Sequence, residues 1–145
     1  MNQKTILLVD DEQMFLEPLE DALVHEGHRV LKARDVSTAL EILEQHHVDL
    51  ASIDIMLSPG AKLEGKVTSQ QAGVYLCERI AREYPHVNAF CLSVVNDPET
   101  IRRIKRLGIP FLRKGETPLR TVLNLMRSRL TGIAYSTERD RDERG

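Results

Sequence analysis

Apolar positions change their rhythm repeatedly along this chain. Ile6-Leu7-Leu8-Val9 is an unbroken apolar run that ends in Asp10-Asp11-Glu12. A run without alternation predicts a strand covered on both faces, as in a parallel sheet. From Met14 the spacing becomes helical, with Phe15, Leu19, Ala22 and Leu23 recurring until Gly27 supplies a stop. A second strand is read over 28–33. Asp35 then caps a helix carrying Ala39, Leu40, Ile42 and Leu43. A third strand runs over 48–53 and ends at Asp54. After a loop with Pro59, Gly60 and Gly65, a helix is read from Gly73 to about Tyr84, halted before Pro85. A fourth strand covers 87–92 and ends at Ser93. Asp97-Pro98 is an N-cap and first-turn pair for a helix to Leu107, closed by Gly108. The fifth strand, 109–113, ends at Lys114, and Thr117-Pro118 caps a last helix to about Leu130.

A strand followed by a helix, repeated five times, predicts an α/β domain with a doubly wound parallel sheet and helices on both faces. The domain is read as residues 1–130, with 131–145 as a polar, charged tail or linker. No apolar run approaches the roughly 20 residues that span a bilayer, and the polar start Met1 to Lys4 does not resemble a signal peptide. Cytoplasmic placement is therefore expected. Cys77 and Cys91 form neither a disulfide framework nor a zinc motif and are read as small buried hydrophobes.

Composition adds one point. The net charge of −2 hides a division. Residues 1–96 hold 15 acids and 8 bases, whereas residues 97–130 hold 3 acids and 9 bases. The basic part concentrates in the last two helices, at Arg102, Arg103, Lys105, Arg106, Arg120, Arg127 and Arg129. That face is read either as a solvated surface or as a docking surface for an acidic partner protein. No aromatic platform accompanies the bases, which argues against nucleic acid. A symmetric dimer through the face would set like charges together, which argues against that dimer, and the oligomeric state stays open.

Ligands of open parallel sheets bind beyond the carboxyl ends of the strands. Those ends carry Asp10, Asp11, Asp54, Ser93 and Lys114. Carboxylates held close repel one another, and a hard divalent cation relieves that repulsion; oxygen-only ligands select Mg²⁺. A carboxylate beside such a cation can act as a nucleophile toward phosphorus, and a lysine can neutralise further phosphoryl charge. Asp54, at the end of a central strand, is the expected nucleophile. None of the five histidines is placed with this cluster, and His46-His47 is read as a contact with a helix C-terminus.

Val9-Asp10-Asp11-Glu12, Asp54-Ile55-Met56, Leu92-Ser93 and Phe111-Leu112-Arg113-Lys114 together resemble the receiver domain of two-component response regulators, over about residues 4–130. The resemblance implies a flavodoxin-like (βα)5 fold with strand order 2-1-3-4-5. It implies that Asp54 accepts a phosphoryl group from the phosphohistidine of a sensor histidine kinase or a histidine phosphotransfer protein. It implies Mg²⁺ held by Asp11, Asp54 and the backbone carbonyl of Met56, with Asp10 close by. Lys114 would contact the phosphoryl oxygens and Ser93 would swing toward them. Phe111 would then turn inward, and the surface of the fourth helix, fifth strand and fifth helix would change to control a downstream partner.

Several positions depart from that pattern. Gly73, read as the helix-opening glycine, lies 19 residues beyond Asp54, so 57–71 contains an insertion of roughly ten residues. Its Lys62, Glu64 and Lys66 are expected beside the site, on a solvated loop or, alternatively, on a lid or partner-docking loop. Gly115 follows Lys114 where a proline is common, so no cis peptide is expected. Phe111 lacks a hydroxyl and is expected to favour the inward position. Val94 is expected to narrow access to Asp54. Met56 and Val95, both apolar, cannot orient a hydrolytic water, so slow loss of the phosphoryl group is expected. Two alternatives stay open: a phosphorylation-independent interaction module, and a Mg²⁺-dependent phosphohydrolase using an aspartyl phosphate. Met56 stands where such hydrolases often carry a second acid, which counts against the latter.

Overall fold

Ile6, Leu7, Leu8 and Val9 are all buried to 1% exposure or less, as a strand covered on both faces requires. The computed structural model describes residues 3–63, 65 and 68–131. Over these the elements run β1 (Thr5–Val9), α1 (Gln13–His25), β2 (Arg29–Ala33), α2 (Val36–Gln45) and β3 (Leu50–Ile53). They continue with α3 (Ser69–Glu83), β4 (Asn88–Ser93), α4 (Pro98–Arg106), β5 (Phe111–Arg113) and α5 (Leu119–Thr131). All strand pairs are parallel, and the sheet order is β2-β1-β3-β4-β5.

Alternate residues of the central strands feed two cores. Leu7, Val9, Ala51 and Ile53 face α2, α3 and α4 through Leu43, Leu76, Ile80 and Ile104. Ile6, Leu8, Leu50, Phe90 and Leu92 face α1 and α5 through Leu16, Leu19, Leu23, Val122 and Met126. Two of the N-caps expected from sequence are formed. Asp35 accepts from Thr38 N–H at 2.7 Å and Asp97 from Thr100 N–H at 3.1 Å. Gly27 and Gly108 follow α1 and α4 with φ of +92° and +81°, the left-handed stop that glycine adopts most readily. α5 starts directly after Pro118, whose carbonyl accepts from Thr121 and Val122 N–H. The fifth strand is shorter than expected, because Pro110 has no N–H to give a ladder. Residues 132–145, most of the expected tail, lie outside the described residues.

The segment after Asp54 corrects the sequence reading twice. α3 opens at Ser69, four residues before Gly73. Gly73 is a packing residue inside the helix, since a Cβ there would come within 2.3 Å of the Ile55 Cα and carbonyl oxygen. Over its described length the inserted loop docks on α2, although Ser58, Ala61 and Lys62 stay exposed. Leu57 is 2% exposed, and Ser58 bridges to Asp35. The Ser58 and Pro59 carbonyls accept from the Val36 and Ser37 N–H groups at 3.1 and 3.0 Å. These are free donors of the first turn of α2, so the loop acts as that helix's second cap. Lys62 pairs with Glu41 at 2.8 Å, on α2 rather than beside the site. Glu64 and Lys66 lie outside the described residues.

At the opposite end of the sheet, Arg127 of α5 grips Glu26, the C-cap of α1, through Nη2 at 2.7 Å and Nε at 3.1 Å. The Arg127 hydrogen bonds hold the Glu26 carboxyl below the usual carboxylate range, against the effect of burial. A lowered acid stabilises the fold above its unfolded pKa, and the contribution disappears as pH falls through the folded value. Glu26→Gln is thus expected to cost about 1 kcal/mol at pH 7 and almost nothing near pH 3, read by urea unfolding at the two pH values.

Candidate functional site

Parallel register brings the strand ends to one rim. Val9 pairs with Ile53, Ile53 with Cys91, and Ser93 with Arg113. The next residues stay in line, because Asp54 N–H donates to the Val9 carbonyl and Lys114 N–H to the Ser93 carbonyl. Asp10, Asp54, Ser93 and Lys114 therefore meet, and all four are buried.

Every oxygen of the Asp54 carboxylate has a donor. Oδ1 accepts from Ser93 Oγ at 2.7 Å and from Met56 N–H at 3.1 Å. Oδ2 lies 3.1 Å from Lys114 Nζ. The same ammonium is 2.7 Å from Asp10 Oδ2 and 2.7 Å from Glu12 Oε1. Asp10 Oδ1 in turn accepts from Glu12 N–H at 2.8 Å. Burial pushes the Asp10 carboxyl up to about 6, while the Lys114 hydrogen bond and the Glu12 N–H oppose the rise. Burial works against the Lys114 ammonium, yet Asp10, Glu12 and Asp54 together hold its pKa above the ordinary lysine value.

Carboxylate oxygens of Asp10, Asp11, Glu12 and Asp54 come within 4.8 Å of one another. Four acids facing one lysine leave excess negative charge, and the donors are all oxygen. This set fits a hard divalent cation of the Mg²⁺ class. Asp11 and Glu12 are exposed, so the cluster is open to solvent on that side.

Of the residues expected from sequence, Asp10, Asp11, Asp54, Ser93 and Lys114 are brought together, and Met56 contributes its N–H. Phe111 is partly buried and packs against the core cluster that contains Ile104 of α4. No cis peptide occurs among the described residues. Val94 is 61% exposed and, with Ile55, Met56, Val95, Asn96, Asp97 and Thr100, lines an open cavity of about 500 Å³ next to the residues that follow Asp54.

Two residues were missed. Glu12 reads in sequence as part of an acidic run, and only the structure shows its carboxylate on Lys114. Phe15 was grouped with the α1 core, yet it is 39% exposed and its ring lies 4.6 Å from Lys114 Nζ. The buried stripe is Leu16, Leu19 and Leu23, a cleaner helical series that leaves Phe15 on its flank. The histidines stand apart: His47 stacks on His86 at 4.8 Å and meets Asp49 at 3.3 Å. Cys77 and Cys91 are fully buried, with their sulfurs 3.5 Å apart.

Comparison with known proteins gives the same picture. The family model of the response regulator receiver domain matches residues 6–121. The response regulator GtcR of Aneurinibacillus migulanus is 33% identical over 123 residues, covering 84% of this chain and 46% of that protein. The chain thus spans less than half of that relative's length. A CheY-like receiver domain from Methanospirillum hungatei superposes with a TM-score of 0.76 at 21% identity, covering 90% of this chain and 96% of the other. The receiver domain of an HD domain-containing protein from Pseudomonas fluorescens gives 0.75 at 25%, covering 90% and 97%. Among the described residues no helix is long and apolar enough to cross a membrane. The sheet order, the acid–hydroxyl–lysine rim and these matches make the chain a response regulator receiver domain, the phosphoacceptor switch of two-component systems.

Proposed function

We propose that Asp54 is the phosphoacceptor of this receiver and that its rim residues divide the work of phosphoryl transfer. The observation that carries this is the buried Asp54 carboxylate held between the Ser93 hydroxyl and the Lys114 ammonium. The donor is a phosphohistidine of a sensor kinase or a histidine phosphotransfer protein. The Asp54 carboxylate attacks phosphorus, the P–N bond breaks, and the electron pair stays with the imidazole. Asp11, Asp54 and the Met56 carbonyl would hold Mg²⁺, with Asp10 close by. When bound, the cation neutralises charge on the transferring group. Lys114 and Ser93 then pass from the Asp54 carboxylate to phosphoryl oxygens, each giving a charge-assisted hydrogen bond.

Movement of Ser93 pulls on Val95, whose N–H donates to the Ser93 oxygen at 3.3 Å, and so on the loop leading to α4. The output surface is α4, β5 and α5, and its arginine-rich helices favour an acidic protein partner. Arg102 and Arg103 already engage Glu99 and Glu78, at 2.8 and 3.2 Å, and a partner would compete for them. Exposed Met14, Met56, Val94 and Leu119 around the rim supply apolar area for a protein donor.

Incubation with Mg²⁺ and a small acyl phosphate is expected to add one phosphoryl group to the wild type and none to Asp54→Asn, read by intact mass. After donor removal, the side chains of Met56 and Val95 offer no polar group to orient a water, so the half-life is expected to run well beyond seconds. A half-life of seconds in Mg²⁺ would refute this role of Met56 and Val95. Equal labelling of Asp54→Asn would refute the phosphoacceptor assignment itself.

A further inference from the structure

Lys114 carries three N–H donors, and each faces a carboxylate: Asp10 and Glu12 at 2.7 Å and Asp54 at 3.1 Å. The Phe15 ring, 4.6 Å from Nζ, covers a further side of the ammonium. These four contacts separate into two kinds. Asp10 and Asp54 belong to the cation and phosphoryl site, and their oxygens are drawn on when that site fills. The Glu12 carboxylate lies at the exposed edge of that acid group and Phe15 outside it, and both come from the start of α1. Glu12 is the residue before the helix, and the Phe15 N–H donates to its carbonyl at 3.0 Å. The two side chains are therefore fixed to one turn of backbone. The Glu12 side chain is 66% exposed while that of Lys114 is 4% exposed, so Glu12 reaches down to a buried ammonium from the rim.

We infer that Glu12 and Phe15 are positioning residues that keep the Lys114 ammonium aimed at the phosphoryl oxygens after its contacts with Asp10 and Asp54 are given up. The inference rests on Asp54 being the phosphoacceptor. A lysine side chain has four rotatable carbons and loses that freedom when it binds an anion. Two contacts that outlast phosphorylation hold it in place beforehand, and pre-organisation of this kind strengthens anion binding without adding a new contact. The competing role for Glu12 is that of a cation ligand, since its carboxylate lies in the acidic group with Asp10, Asp11 and Asp54. The two roles differ in what they do to Mg²⁺ affinity.

The test titrates the full chain with Mg²⁺ alone, then with beryllofluoride at saturating Mg²⁺, under conditions where each variant is folded. The proteins are wild type, Glu12→Gln, Phe15→Leu, Phe15→Tyr and Asp54→Ala. Glu12→Gln and Phe15→Leu are each expected to weaken beryllofluoride binding about threefold to fivefold. Phe15→Leu should leave Mg²⁺ affinity within about twofold of wild type, and Glu12→Gln should lose less Mg²⁺ affinity than beryllofluoride affinity. Phe15→Tyr keeps the ring face and is expected to bind as the wild type does. Unchanged beryllofluoride affinity in both Glu12→Gln and Phe15→Leu, with Asp54-dependent binding in the wild type, overturns the inference and leaves the phosphoacceptor assignment standing. Equal losses of Mg²⁺ and beryllofluoride affinity in Glu12→Gln make Glu12 a ligand and overturn its positioning role. Absence of Asp54-dependent binding in the wild type refutes the phosphoacceptor assignment, and the inference with it.

Discussion

Lys114→Ala is expected to lower stability in Mg²⁺-free buffer by about 3 kcal/mol, the cost of stripping the partner from buried charges. Asp10 and Asp54 are 2% and 3% exposed and share the Lys114 ammonium, while Glu12 approaches it from the rim. Without Lys114 the acids face each other across less than 4.8 Å with no cation among them. The gain of removing a buried ammonium is smaller than this, because Lys114 is well satisfied where it stands. Mg²⁺ supplies the missing charge, so it should stabilise Lys114→Ala more than it stabilises the wild type. Urea unfolding with and without Mg²⁺ reads both effects. Equal stability of the two proteins in Mg²⁺-free buffer would mean that Lys114 does not offset the carboxylate charge. Phosphoryl uptake should fall in the variant even at saturating Mg²⁺, since no other ammonium reaches Asp54 among the described residues.

Gly73→Ala opposes two effects of different size. Alanine inside a helix is favoured over glycine by about 1 kcal/mol. Here the added Cβ would come within 2.3 Å of Ile55 backbone atoms, which cannot rotate away as a side-chain end can. Overpacking against backbone costs about 3 kcal/mol, so the net expectation is a loss of about 2 kcal/mol. Ile55 follows Asp54 directly, so whatever yields to the new methyl also shifts the acceptor. Gly27→Ala is the control. Its φ is positive but no atom lies within 4 Å of the added Cβ, so only the backbone strain of about 1 kcal/mol applies. Thermal unfolding of the two variants separates close approach from backbone conformation. A Gly73→Ala protein as stable as the wild type would show that α3 can draw back from β3 freely.

What could be read in the sequence follows from what leaves a periodic or chemical mark. The unbroken run Ile6 to Val9 marks a doubly covered strand, and Asp35 and Asp97 mark helix starts, because caps need particular side chains. Asp10, Asp54, Ser93 and Lys114 were legible because a strand end fixes where the next residue lies. The 57–63 segment was not legible, since its docking on α2 uses the carbonyls of Ser58 and Pro59, which every residue type carries. The early start of α3 was hidden for a related reason. Ser69-Gln70-Gln71 is polar in sequence, Gln71 is exposed, and the apolar stripe begins only at the buried Ala72. The grip of Glu12 and Phe15 on Lys114 joins residues about a hundred positions apart across the rim, and one sequence alone carries no sign of such a pairing.

Whether Asp54 sits in a working phosphoryl pocket is decided by one experiment that needs no cognate kinase. Thermal stability of the wild type and Asp54→Ala is measured without Mg²⁺, with Mg²⁺, and with Mg²⁺ plus beryllofluoride, a mimic of the phosphoryl group on aspartate. A ligand that binds only the folded protein raises its stability according to concentration and affinity. The expected result is a rise in the wild type on adding beryllofluoride that requires Mg²⁺ and is absent in Asp54→Ala. No beryllofluoride-dependent rise in the wild type, or an equal rise in both proteins, would contradict the claim and favour an interaction module that works without phosphorylation.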